Sequence, residues 1–190
     1  RLSVIAPAFG VGISTLADLA TPDVKIVLAH ASVPAGRYAL QILALMDESS
    51  AYGPGFSAAV LDNIVSYETN VRQVLAKVAL GEADAGIVYH TDVSAAHTEQ
   101  VRMIPIPDDL NVIAIYPIAV LEDARNLPAA DAFVAFVLSA EGQAILQRHG
   151  FGAVLVHVRH NYRHPLAGEG PAHLCADSSG PPVMIATFPF

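Results

Sequence analysis

Three stretches of the chain place hydrogen-bond donors where an anion could be held. In "ASVPAGRYAL" (31–40), Pro34 gives up an N–H that the first turn of a helix cannot use, and it pre-sets φ. Ala35 and Gly36 then keep bulky side chains off the next N–H groups. Free donors and the macrodipole at a helix start both favour negative charge. In "SYETNVRQVLAKV" (66–78), Thr69 or Asn70 supplies an N-cap, and the N–H groups of Val71 and Arg72 are the next free donors. In "GEADAGIVYHTD" (81–92), Tyr89 falls at the end of a strand, where open α/β sheets place their ligands, and its phenol donates one neutral hydrogen bond. Taken singly, each stretch also has a plain structural reading: a strand–helix corner, ordinary capping, and a Tyr packed at a strand end with its hydroxyl in water.

Other chemistries find little support. The chain has no Gly-rich phosphate loop, no Gly-x-Ser-x-Gly elbow after a strand and no Cys pair. Its acidic residues are scattered, without a pair whose spacing marks an acid/base couple. His157, His160, His164, His173 and Cys175 crowd together, but their spacing fits no metal-ligand pattern and reads as adventitious affinity. His90 and His97 read as solvated residues near a strand end and a loop. Cys175 stands alone, so no internal disulfide is possible and the redox compartment cannot be inferred from it.

The elements that must position the three donor stretches follow from periodicity and punctuation. "VKIVLAH" (24–30) is β-branched and apolar on both faces, as in a buried parallel strand, and "AGIVYH" (85–90) is a second. Shorter strands are expected at 2–6 and 64–67, with two more at 100–106 and 111–121. Helices are expected at 16–20 (capped by Ser14 or Thr15), 37–46, 57–63, 71–80 (closed by Gly81), 129–138 and 141–148. Strands alternating with helices predict an α/β fold with a mostly parallel sheet. From 152 onward the chain is dense in His, Pro, Gly and Ser without a period, and reads as a loosely ordered tail.

The bulk numbers bound the partners. More than half of the 190 residues are apolar, enough for a substantial core. A formal charge of −8 argues against nucleic acid or an anionic membrane surface. It leaves a small anion open, because a site built from N–H groups needs no net positive charge. No apolar run is long enough to span a bilayer. The opening "RLSVI" lacks the features of a signal peptide, and the absence of an initiating Met points to an upstream segment that is missing or was removed.

"VPAGRYA" (33–39), "NVRQVLAKVALGEADAGIVYHTDV" (70–93) and "FVAFVLSAEGQAILQRHGF" (133–151) occur in the order seen in the molybdate-binding proteins of bacterial ABC importers. "RLSVIAP" followed by "ISTLADLATPDVKI" also resembles that family, so the resemblance covers residues 1–151. It implies a two-lobed periplasmic-binding-protein fold of type II that closes on a tetrahedral oxyanion. By matching motif positions, the donors in this chain would be the N–H of Ala35, the N–H of Val71 and the hydroxyl of Tyr89. The family's other donors are serines on the first lobe, which its pattern places before Arg1, so this chain would hold half the site. The implied organisation is a hinge strand at 1–6, the second lobe at 7–111, a return hinge strand with the terminal helices of the first lobe at 112–151, and an atypical tail at 152–190.

The implied function is molybdate or tungstate binding for import, with an ABC permease as membrane partner. It carries no catalysis, no cofactor, no metal held as a bare cation and no nucleic acid. The implied location is periplasmic, or extracellular and membrane-anchored. Two alternatives stand beside it: the ligand-sensing domain of a transcription regulator with the same fold, and a non-functional fragment.

Overall fold

The computed structural model describes residues 1–9, 12–93, 99–116, 118–121 and 124–152. It divides into two compact units, Arg1–Ala114 and Ile115–Phe190. The metal candidates His157, His160, His164, His173 and Cys175, together with His97 and the expected tail beyond 152, lie outside the described residues.

The first unit contains β1 (Leu2–Pro7), β2 (Ile26–Ala29), α1 (Pro34–Glu48), α2 (Phe56–Asp62), β3 (Ile64–Glu68), α3 (Val71–Ala79), β4 (Ala85–Tyr89) and β5 (Val101–Pro105). The strands form one sheet in the order β3-β2-β4-β1-β5. β2 is parallel to both β3 and β4, whereas β1 is antiparallel to β4 and to β5. Four of the five strands therefore run one way, as an α/β pattern requires. The reversed strand lies inside the sheet, which divides the pairings evenly between parallel and antiparallel. Leu2 stands opposite Tyr89, and Ser3 opposite Pro105. The start of β1 thus lies at the same edge as the C-terminal ends of the other four strands.

Side-chain alternation feeds two cores. On one face, Leu2, Val4, Ile26, Leu28 and Ile87 pack with Ala39, Ile42, Leu43 and Met46 of α1 and Val60 of α2. On the other, Ile5, Val27, Ala29 and Val88 pack with Val74, Leu75 and Val78 of α3. Both faces are covered, which is why β2 and β4 read as continuous apolar runs rather than alternating ones. Each fully buried Leu, Ile or Val contributes on the order of 1.5–3 kcal/mol from removal of apolar surface from water. Gly86 lets α3 lie directly on β4, since a Cβ there would sit 2.6 Å from Val74 Cγ1 and 3.1 Å from the Val27 carbonyl oxygen.

Two expected features differ. Residues 17–20 form only a short 3₁₀ turn, and its cap is inverted: Asp18 Oδ2 accepts the N–H groups of Ser14 (2.8 Å) and Thr15 (2.7 Å), so neither of those side chains does the capping. The return strand expected at 111–121 is not formed; among its described residues 111–116 and 118–120 carry no strand pairing. The β-branched run has strand propensity, but its described residues 111–116 and 118–120 join no ladder. Ile113 and Ile115 are more than half exposed. Asn111 instead closes the sheet with its side chain. Its Oδ1 accepts the Leu2 N–H (3.0 Å), and its Nδ2 donates to the Leu2 carbonyl (2.8 Å) and more weakly to that of Ile106 (3.3 Å).

In the second unit, α4 (Leu127–Leu138) and α5 (Ala140–Arg148) meet at a corner. Ser139 makes it by accepting the Gly142 N–H (3.1 Å) while donating to the Phe136 carbonyl (2.7 Å). A Cβ at Gly142 would run into the Phe136 carbonyl, so "SAEG" is a packing motif here. No single described helix is long and apolar enough to cross a membrane.

Candidate anion-binding site

Ala35 is the second residue of α1, after Pro34 and an extended Val33 that offers no side-chain cap. It is buried at 1% exposure in the same apolar cluster as Ala29 and Val88. Gly36 has a stricter role than keeping the helix mouth clear: a Cβ there would collide with the carbonyls of Ala29 and His30, so only glycine lets α1 start hard against the end of β2. The first backbone bond at this corner that reaches into the helix is Arg37 N–H to the Val33 carbonyl at 3.1 Å. Among the described residues, the N–H of Ala35 has no protein acceptor, as expected for a first-turn donor.

Val71 opens α3. Asn70 is the cap, its Oδ1 accepting the Gln73 N–H at 3.1 Å. Thr69 contributes differently, donating its N–H (3.2 Å) and its hydroxyl (2.9 Å) to Gln73 Oε1. This reciprocal arrangement is close to a capping box. It satisfies Gln73 and Thr69 but leaves the N–H of Val71 without a protein acceptor among the described residues. The last turn of α3 is also fastened to the sheet, through Lys77. Lys77 Nζ contacts Glu68 Oε1 (2.6 Å) and Ser66 Oγ (3.1 Å), and Ser66 Oγ donates to Glu68 Oε1 (2.7 Å). These partners hold the Glu68 carboxyl below the usual range, the Lys77 hydrogen bond foremost and that from Ser66 next.

Tyr89 ends β4, and its side chain packs against both cores. Its N–H donates to Asp92 Oδ2 at 3.1 Å. Burial pushes the Asp92 carboxyl above the usual range, while the Tyr89 N–H and the charge of Arg72 act in the opposite sense. Ala35 lies within, and Val71 and Tyr89 lie against, one apolar cluster that covers the α3 face of the sheet. The three stretches follow or end the neighbouring strands β2, β3 and β4. Asp92, Glu68 and Lys77 were not singled out by the sequence; the only signal for Asp92 was a carboxylate three residues after a strand-ending Tyr. Among the described residues no group of three or more His, Cys, Asp or Glu side chains could hold a metal ion. A cavity of about 180 Å³ lined by Ala6, Pro7, Ile13, Asp84 and Arg102 lies at the opposite edge, away from these donors.

Residues 3–152 match the family model of the bacterial extracellular solute-binding proteins, and the chain belongs to that family. Within it, the chain is 36% identical over 139 residues to the molybdate-binding protein ModA of Mycobacterium tuberculosis, covering 73% of this chain and 48% of that protein. It is 30% identical over 145 residues to a putative ABC transporter substrate-binding lipoprotein, YvgL, of Bacillus subtilis, covering 74% and 50% respectively. The chain thus spans about half the length of these curated relatives. Its fold superposes on the substrate-binding domain of a putative molybdenum ABC transporter from Clostridium difficile with a TM-score of 0.61 and 28% identity, covering 80% of this chain and 63% of that one. The α/β architecture is accordingly that of the periplasmic binding proteins.

Proposed function

We propose that this chain binds a tetrahedral oxyanion, molybdate or tungstate, for delivery to an ABC permease outside the cytoplasm, and that it acts by binding alone. The donors are the N–H groups of Ala35 and Val71 and the hydroxyl of Tyr89. The observation that carries this reading is that α1, α3 and Tyr89 follow or end the neighbouring strands β2, β3 and β4, with the N–H groups of Ala35 and Val71 meeting no protein acceptor among the described residues. The likeness to ModA, a molybdate-binding protein, and to YvgL, a putative ABC transporter substrate-binding lipoprotein, supports it.

Molybdate and tungstate are dianions with no proton to donate at neutral pH. A site offering only donors suits them, whereas a protonated phosphate would present an O–H with nothing to accept it. Each bond to the charged ligand is worth roughly 1.5–3 kcal/mol net. Three such bonds are part of a grip, and the remainder comes from the serines that the family carries in its other lobe. In the same proposal the unit Arg1–Ala114 is one lobe. Sulfate has the charge of molybdate but a smaller radius, so discrimination against it rests on cavity size.

Isothermal titration of the full-length protein with molybdate, tungstate, sulfate and phosphate tests the proposal. Tight binding of the first two with phosphate excluded is the expected result. Equal affinity for phosphate, or no affinity for any of the four, overturns it.

A further inference from the structure

The N–H of Tyr89 points to the β2 side of β4, past the last paired residues of those two strands, Val27 and Gly86. Leu2, opposite Tyr89 in β1, turns both of its backbone polar groups toward Asn111, so the pair is not joined by ladder bonds. His90 N–H, one residue on, faces β1 and donates to the Arg1 carbonyl at 3.1 Å. Tyr89 N–H therefore faces the β2 side, and β2 ends at Ala29, which continues the register Val27 opposite Gly86 to stand opposite Val88. The paired register of β2 with β4 reaches only Val27 opposite Gly86, and Asp92 Oδ2 accepts this N–H from the following turn. The turn His90–Asp92 packs against α3, whose second residue, Arg72, places its charge near the same carboxylate.

We infer that Asp92 is a positioning residue of the anion site, a half-buried clasp that fixes the end of β4 against the mouth of α3 and so holds Tyr89 and Val71 in one arrangement. The inference rests on the anion-site reading given above. It assigns Asp92 no contact with the ligand. The carboxylate acts through backbone geometry, and its charge, close to a bound dianion, opposes binding rather than helping it. The acceptor oxygen and the negative charge of Asp92 therefore have separable effects. Asp92→Asn keeps an oxygen acceptor and discards the charge, whereas Asp92→Ala discards both.

Molybdate titration and hydrogen exchange of the Tyr89 amide, both on the full-length protein, test the clasp. Asp92→Ala is expected to weaken molybdate binding about tenfold, the order of one lost buried hydrogen bond, and to speed exchange at Tyr89. Asp92→Asn is expected to keep or tighten the affinity and to keep the protection. A folded Asp92→Ala protein with unchanged molybdate affinity overturns the inference, as does an equal loss in both variants. Should Asp92→Ala not fold, the unsubstituted protein still decides: the Tyr89 amide must be protected without ligand, and an unprotected amide overturns the clasp. Absence of molybdate binding in the unsubstituted protein defeats the anion-site reading instead, and the two failures are told apart by the exchange data.

Discussion

Asn111 and Leu2 are joined through both backbone positions of Leu2, the amide side chain accepting its N–H at 3.0 Å and donating to its carbonyl at 2.8 Å. A single side chain thus stands in for a strand partner at the point where β5 has ended in Pro105. Leu2 is fully buried, so neither of its polar groups has water as a ready substitute.

Asn111→Ala should therefore cost more than a surface substitution, about 1–3 kcal/mol for leaving buried backbone groups unpaired. Asn111→Asp keeps only the acceptor and should fall between. Urea denaturation of the three proteins checks the order; an Asn111→Ala midpoint equal to that of the unsubstituted protein would contradict it.

Gly36→Ala opposes two effects. Alanine is the better helix former by about 0.5–1 kcal/mol, but its Cβ collides with the backbone carbonyls of Ala29 and His30, which cannot rotate away. Overpacking of this kind costs about 1–3 kcal/mol, so the net effect is destabilising, and it displaces Ala35 with the helix start. Gly86→Ala meets mainly Val74 Cγ1, the end of a side chain, and should be the milder of the two. Thermal unfolding together with molybdate titration measures both changes.

Tyr89→Phe removes only the hydroxyl and leaves the ring packed against both cores. Molybdate affinity should drop about 10–100-fold, the worth of one hydrogen bond to a charged ligand. Unaltered affinity by calorimetry would remove Tyr89 from the donor set.

Two carboxylates at this edge respond to pH in opposite senses. Glu68 is held below its ordinary value of 4.5 by Lys77 and Ser66, so its contribution is fully present above that value and is lost as pH falls toward the lower folded value. Asp92 is raised above its ordinary value of 3.8, so its proton-linked stabilisation is present below that value and is lost as pH rises through the higher folded one. Melting temperatures across the acid range should show Glu68→Gln flattening the acid-side loss of stability. Asp92→Asn should remove the loss that accompanies rising pH.

Much of this arrangement was legible in the residues. "VKIVLAH" and "AGIVYH" declare buried strands because only β-branched, two-sided apolar segments survive between covered faces. Asn70 and Pro34 announce the starts of α3 and α1 by their own chemistry. What escaped was anything set by a distant partner. "NVIAIYPIAVL" carries the propensity of a strand, yet a strand also needs a neighbour, and composition does not say whether one is present. The glycine of "VPAG" signals permissiveness, but which carbonyls it must clear is a matter of tertiary approach. Asp92 stayed unremarked because its importance comes from accepting the Tyr89 N–H beyond the paired register of β2 and β4, which no local pattern encodes.

The reversed position of β1 bears on how the chain acquires its structure. This strand is made well before both of its partners, Ala85–Tyr89 and Val101–Pro105. Closing so large a loop is entropically slow, and folds dominated by such pairings form slowly. The parallel unit β2-β3-β4 with α1 and α3 can assemble first from near neighbours. The apolar segment from Leu2 to Pro7 must then wait, with both of its edges unpaired until residue 89 and one of them until residue 105 has been synthesised. For that interval the same strand that completes the sheet is its most aggregation-prone element.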